Sequence, residues 1–406
     1  MMNTDATGTT RRRRSGRARA MTVAALAIVT TLGVGAVVVS PGGAATAHSL
    51  TLTQAEAALT SLEALAPTSS EPTLTEAGSS LFYPLWEEWA GSTTAPPPVP
   101  VTPGKGGSGL GQSEAENGTI NIGGSDGFLP AATMTGPPAM LNIPVVVSAQ
   151  AVVYNLHSLP AGQHLRLSSV VLNGIYSGQI KRWNSKMIAA LNPHVKLPDK
   201  PIIPVRRLDS SGDTFIFTSY LYYGDRNSWT RSSPYDGPQL IYSTWPDVSN
   251  ELAESGNAGI EAAVQANPGA IGYLGISYLP SAVFGTPSLR YAALENRSNH
   301  FVLPTPASIQ AEVAAYPNIP ADGAISLIDS AKAPNGYPIV NFEYAIVRVV
   351  QPSATIEDSV KAELAWAMDP SHGATTPFLN PVLMRPLALN ALTVAINLLN
   401  QITVAS

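Results

Sequence analysis

LNIPVVVSAQAVVY, Leu141–Tyr154, and GYPIVNFEYAIVRVV, Gly336–Val350, are the long apolar runs of this 406-residue chain. The first suits a buried strand pair or a strand that crosses between domains, and the second reads as a long apolar-aromatic strand. Almost two hundred residues separate them, and together they read as paired crossings between two lobes. Around them strands alternate with helices. Helical AGIEAAVQANP runs into a buried strand AIGYLGISY (Gly259–Tyr278), and Thr355–Met368 and Leu387–Ile402 carry apolar faces at helical spacing. That alternation predicts an α/β protein with ligand sites at the carboxyl ends of its strands. No internal repeat is present.

The length allows two or three domains with large cores. Hydrophobic residues make up 45% and charged ones only 13%, with 33 Gly and 35 Pro, so the chain is globular and rich in loops. It has no cysteine, which excludes disulfides, thiol catalysis, zinc–thiolate sites and a lipid anchor on an N-terminal cysteine.

Six arginines, Arg11–Arg14, Arg17 and Arg19, precede the apolar run Met21–Val39 and the small-residue stretch ending Ala45-Thr46-Ala47. Basic region, apolar region and A-x-A site are the parts of a secretory signal peptide. The 19-residue run also approaches spanning length, so an uncleaved membrane anchor is the alternative. Removing residues 1–47 lowers Lys+Arg from 23 to 17 and Asp+Glu from 28 to 27, a net charge of −10. An acidic body without a basic stripe argues against nucleic acid as a partner.

Residues 48–73 read as an N-terminal extension, a short helix over Leu52–Leu65 and then a Ser/Thr/Pro linker. In Leu74–Ala90 a short strand turns through Gly78-Ser79-Ser80 into an aromatic helix. Proline-rich Thr93–Pro103 predicts an edge or extended loop. Gly104, Gly106 and Gly109 form a G-x-G-x-x-G, weak as a dinucleotide fingerprint because prolines occupy the place of the strand it needs. Thr119–Ile122 predicts a strand running into Gly123-Gly124-Ser125-Asp126-Gly127. That run matches G-x-S-x-G, but Phe128-Leu129-Pro130 follows where a nucleophile elbow needs a helix. The six histidines form no acid–histidine pattern, and no metal-ligand spacing or cofactor motif stands out.

RRLDSSGDTFIFTSYL, Arg206–Leu221, carries small hydrogen-bonding residues where a helix would begin, with Asp213 and Thr214 in the first turn. Free N–H groups there, with the helix dipole behind and arginines upstream, form an anion site.

VLNGIYSGQIKRWNSKMIAALNPHVKLPDKPIIPVRRLDSSGDTFIFTSYL, AGSSLFYPLWEEWA, NGTINIGGSDGFL, GAIGYLGISYL and GYPIVNFEYAIV together resemble the phosphate-binding protein of the phosphate ABC importer, in its actinobacterial form. The resemblance runs from about Leu74 to the C-terminus. It implies a two-lobed periplasmic-binding-protein fold of type II, each lobe a mixed sheet flanked by helices, joined by a two-strand hinge. Lobe I would be residues 74–147 with 340–406, and lobe II residues 148–339. It implies phosphate contacts from four loops: Ser80 with the Leu81 N–H, Ser108, Asp126, and Arg207 with Ser211, Gly212 and Asp213. The spacings of 28 residues from Ser80 to Ser108 and 18 from Ser108 to Asp126 keep the family's register. Asp126 would accept a proton from phosphate that sulfate lacks, and Arg207 would neutralise both Asp126 and the ligand. Asp213 departs from the threonine of many relatives, and could accept a second proton or cap the helix and face away.

The resemblance further implies a monomeric extracytoplasmic receptor without cofactor or catalysis, working with a membrane permease and an ATPase. A surface-anchored phosphate sensor or scavenger is one alternative. A phosphoester hydrolase built on Ser108 or Ser125 with Arg207 is another, and it lacks a base or metal cluster.

Overall fold

The computed structural model describes residues 49–68, 72–157, 159–160, 162–224, 251–280 and 289–405. The expected signal segment 1–47 lies outside them, with its apolar run Met21–Val39. No helix among the described residues is long and apolar enough to cross a membrane.

Helix α1 (Leu52–Glu63) is followed by β1 (Leu74–Gly78), α2 (Tyr83–Ala90), β2 (Val101–Lys105), α3 (Ser108–Asn117), β3 (Ile122–Ser125), α4 (Ala131–Met134) and the sixteen-residue β4 (Met140–Asn155). Then come β5 (Arg166–Leu167), α5 (Ser169–Tyr176), α6 (Lys186–Leu191), β6 (Ile203–Arg207), α7 (Gly212–Gly224), β7 (Leu252–Glu254), α8 (Gly256–Ala266) and β8 (Ala270–Gly275). The chain closes with β9 (Leu289–Tyr291), β10 (Ala293–Glu295), β11 (Phe301–Val302), α9 (Pro306–Val313), β12 (Val340–Arg348), β13 (Val350–Gln351), α10 (Ala354–Met368), α11 (Thr376–Leu379), α12 (Leu389–Leu399) and β14 (Thr403–Val404).

Every residue of β4 is buried, as its unbroken apolar run requires. Nine of its first ten residues pair antiparallel with β12, Val145 being skipped at a bulge, and its last ones pair with β8 and β9. The nine-stranded mixed sheet therefore runs β2-β1-β3-β12-β4-β8-β6-β7, with β9 beside β4. β4 is the common strand of its two halves. In one half β1, β2 and β3 are parallel, and in the other β6, β7 and β8 are parallel.

The proline-rich segment resolves as an edge. β2 carries Pro103 inside its run, and it is the outermost strand, where a missing N–H costs no ladder bond. Of the two expectations, edge or extended loop, the edge is the one found, so a strand does precede the glycine loop although prolines occupy its place. β3 also starts later than expected, at Ile122. Gly118 closes α3 in the left-handed region at φ 73°, and the Thr119 N–H still bonds back to Glu114 at 3.0 Å.

Helix α1 buries Ala55, Leu59 and Leu62 against α10 and α12. Phe82, Trp86, Trp89, Trp366 and Phe378 stack edge-on or tilted at centroid spacings of 5.0–6.2 Å, and Trp89 Nε1 donates to Gly373 O at 2.9 Å. This aromatic block fixes α2, and with it the Gly78–Leu81 turn.

Glu363 of α10, one turn before Trp366, is fully buried with no charged partner among the described residues. Burial pushes it from 4.5 up to about 8, with only the Val99 backbone pulling the other way. Between those values the folded chain holds a proton that the unfolded chain has released, so this group's stabilisation is lost as pH rises. Glu363→Gln should raise the urea midpoint relative to the wild type by a margin that grows from about pH 5 to pH 8. A margin independent of pH would sink this account.

Candidate functional site

The carboxyl ends of the parallel strands on both sides of β4 deliver their loops to one place. After β1, the Ser79 hydroxyl accepts the N–H groups of Leu81 (3.1 Å) and Phe82 (3.0 Å), closing a turn ahead of α2. After β2, Gly106 and Gly107 donate to Gly78 O at 3.0 and 2.8 Å, so the glycine loop lies against that turn, and α3 starts at Ser108. Gly107 has φ 88°, and a Cβ there would lie 2.4 Å from Asp209 Oδ2, so only glycine fits. Across the sheet β6 ends in Arg207, and α7 starts at Gly212 with Ser211 Oγ accepting the Thr214 N–H at 3.4 Å. First-turn N–H groups lack helical partners and carry the positive end of the dipole, so these helix starts favour an anion.

Asp126, the residue after β3, is buried where the starts of α3 and α7 meet. The Ser79 hydroxyl donates to its Oδ1, and the Ser108 hydroxyl to its Oδ2 at 3.1 Å. A Cβ on Gly212 would lie 2.6 Å from Ser108 Oγ and 2.7 Å from Asp126 Oδ2. Further contacts link the two sides: Gly109 N–H to Ser210 O at 3.2 Å, and Ser277 Oγ to Leu81 O at 2.7 Å.

Arg207 is fully buried and charged. Its Nε donates to Asp209 Oδ1 at 2.8 Å and its Nη2 to Asp209 Oδ2, while Nη1 donates to Asp213 Oδ2. Its backbone N–H donates to Tyr273 Oη at 2.9 Å. Burial works against the charges of Arg207 and Asp209 alike. The pairing overrides it, raising Arg207 and holding Asp209 below the usual carboxylate range. Asp213, wholly buried, also accepts from Gln150 Nε2 (3.1 Å) and Asn257 Nδ2 (2.8 Å). Burial and the nearby Asp126 charge push it up to about 7 against the pull of Arg207.

All eight residues singled out from sequence fall within this region, but the pairing differs from expectation. Arg207 engages Asp209 and Asp213, not Asp126, because two carboxylates on its own segment reach it first. The hydroxyl on Asp126 belongs to Ser79, whereas Ser80 Oγ accepts from the N–H and Nδ2 of Asn257, each at 3.0 Å. The Leu81 N–H, assigned to a ligand, is spent on Ser79. Asp213 neither faces away nor stands free. Its oxygens are held by three side chains.

Sequence reading passed over Ser79, Asp209, Gln150, Asn257 and Tyr273. Asp209 sits in the quoted RRLDSSGD and was legible as a neighbour of Arg207, whereas Asn257 and Gln150 arrive from distant elements. Ser125 of the G-x-S-x-G run donates to Gly127 O at 2.5 Å and accepts from Gln112 at 2.9 Å, so it serves its own turn. His164, His300 and His372 make their contacts elsewhere, with Tyr291, Pro334 and Glu63.

Residues 48–371 match the family model described as the PBP superfamily domain. The chain is 30% identical to the phosphate-binding protein PstS of Pasteurella multocida over 76% of this chain and 86% of that protein. It is 33% identical to PstS of Methanocaldococcus jannaschii over 60% of this chain and 63% of that one. A solved phosphate-binding protein from Stenotrophomonas maltophilia shares the fold at a TM-score of 0.59 and 21% identity, covering 80% of this chain and 93% of its own. A putative phosphate ABC transporter substrate-binding protein of Clostridium perfringens, solved with bound phosphate, matches at a TM-score of 0.53 and 16% identity, over 78% and 100% of the two chains. With a matching family model, 30% identity across most of both chains and a shared fold, this chain is a member of the PBP superfamily and belongs to the family of the PstS phosphate-binding proteins.

Proposed function

We propose that the chain is an extracytoplasmic receptor that binds inorganic phosphate between two lobes and presents it to the permease and ATPase of an ABC importer. The lobes are residues 74–147 with 340–406, and 148–339, hinged where β4 and β12 run side by side. The observation that carries this reading is Asp126, a buried carboxylate set among anion-favouring helix starts. Such a carboxylate repels a fully ionised anion and accepts a hydrogen bond from one that keeps a proton. Phosphate keeps a proton near neutral pH and sulfate does not. Ser80, Ser108 through its backbone N–H, Arg207, Ser211 and Gly212 are the donors in this reading; the Leu81 N–H joins them by leaving Ser79, and Asp213 holds Arg207 in place.

Binding without chemistry fits the same geometry, since the described histidine contacts are directed elsewhere and Ser108 is paired to a carboxylate. The relatives, too, are named as binding proteins. The export signal and the acidic body support a location outside the membrane and a small anion, not nucleic acid, as ligand.

Calorimetric titration of the purified domain should give tight phosphate binding and no measurable sulfate binding. Tight sulfate binding, or no phosphate binding at micromolar levels, would sink the reading. Asp126→Asn should weaken phosphate binding at least tenfold, about 1.4 kcal/mol, and narrow the gap over sulfate. Unchanged discrimination would remove Asp126 from this role.

Gly212→Ala tests closure. The added methyl would meet Ser108 and Asp126 across the interface but leaves α7 free to form. The variant should keep the wild-type melting temperature within a few degrees and lose phosphate affinity by roughly tenfold or more. Wild-type affinity in a folded Gly212→Ala would rule out this closed geometry as the binding state.

A further inference from the structure

Glu343 is the lone carboxylate in the apolar strand β12, and it is fully buried. Alternation along the strand puts Asn341 and Glu343 on one face, and pairing sets Tyr344 against Ser125, so that face meets Asp126. A β-bulge interrupts the β12–β4 ladder between Glu343 and Tyr344, opposite Val146 and Pro144. Asn341 Nδ2 binds Glu343 Oε1 at 2.8 Å and reaches the Asp126 carbonyl at 3.4 Å. Glu343 Oε2 has no donor among the described residues, and the register sets Glu343 beside Asp126, the residue that follows Ser125. The charged groups acting on Glu343 are Asp126 beyond β3 and Asp213 on α7, with Tyr344 beside it on its own strand. Arg207, the nearby cation, is engaged by Asp209 and Asp213.

Two adjacent buried carboxylates with no cation between them do not both stay ionised at neutral pH; one takes a proton. The partners decide which. Asp126 accepts two hydroxyl bonds and sits at helix starts, while Glu343 accepts one amide bond.

We propose that Glu343 is the protonated member and donates through Oε2 to Asp126, a positioning residue that orients the ligand-selecting carboxylate and keeps it charged. Burial and the Asp126 charge push Glu343 well above the usual carboxylate range, in keeping with this. An ionised carboxylate offers about four acceptor sites. Ser79, Ser108 and Glu343 take three of them, leaving one for a single proton on the ligand. The consequence for binding rests on the phosphate reading; the proton itself does not.

Infrared difference spectra of wild type against Glu343→Gln, without ligand at pH 7, test the proton. The wild type should show a protonated-carboxyl C=O band that Glu343→Gln lacks. Titrations then test the role. Glu343→Gln, which keeps an N–H donor, should hold phosphate affinity within about threefold and retain discrimination against sulfate. Glu343→Leu should lose phosphate affinity about tenfold or more, with a narrower gap over sulfate. A missing band overturns the proposal, and so does a glutamine variant as impaired as the leucine one. If the leucine variant does not fold, the band and the glutamine titration decide. Failure of the wild type to bind phosphate would sink the ligand reading and leave the infrared result standing.

Discussion

A single buried guanidinium organises the loops around this site. Arg207 ends β6 with no solvent to stabilise it, so its charge must be met by protein groups. Asp209 closes the fork from the same turn, and Asp213 meets the remaining amine from the first turn of α7. The pairing fixes how far the helix start lies from the strand end. It also reaches outward, because Asp213 is shared with Gln150 on β4 and Asn257 on α8, and Asn257 in turn holds Ser80 across the sheet. Removing either carboxylate would leave a buried charge under-compensated, at a cost of roughly 3–5 kcal/mol by analogy with broken buried pairs.

The second constraint is proximity. Glycines at 107 and 212 let backbone approach backbone where any side chain would collide with Asp209, Ser108 or Asp126. That approach brings the starts of α3 and α7 to one carboxylate from opposite halves of the sheet. Residues 48–406 carry a net charge near −10, so the long-range field opposes an anion. Attraction has to come from short-range donors, which is why the helix starts must lie this close.

Much of this was legible in the sequence, and the failures share a cause. β4 and β12 declared themselves as apolar runs, and α7 by its small residues and first-turn aspartate. Each of these is a local signal. Partner choice was not local. Arg207 was expected to serve Asp126, but Asp209 and Asp213 lie two and six residues along the chain and need no conformational search to reach it. Ser79 and Ser80 are adjacent, and only the handedness of the turn decides which hydroxyl meets Asp126. Pro103 left an edge strand and an extended loop both open, because sequence does not reveal which strand will be an edge. Glu343 gave a usable signal, a lone acid in an apolar strand, whose meaning depended on the β12–β3 register.

The carboxyls also bear on why a chain would bury so much negative charge around an anion site. Asp209 and Asp213 neutralise Arg207 more than once over, so the cation cannot act as a general attractor for any anion. On the proposed reading Asp126 then meets the ligand without a cation beside it. On the proposed reading, an incoming anion is stabilised by hydrogen bonds from hydroxyls and helix N–H groups, and it must bring a proton of its own for Asp126. An anion without that proton faces the same donors together with an uncompensated repulsion in a low-dielectric setting, where such repulsion is least screened. On that reading selectivity follows from withholding positive charge, and the tight pairing of Arg207 is what withholds it.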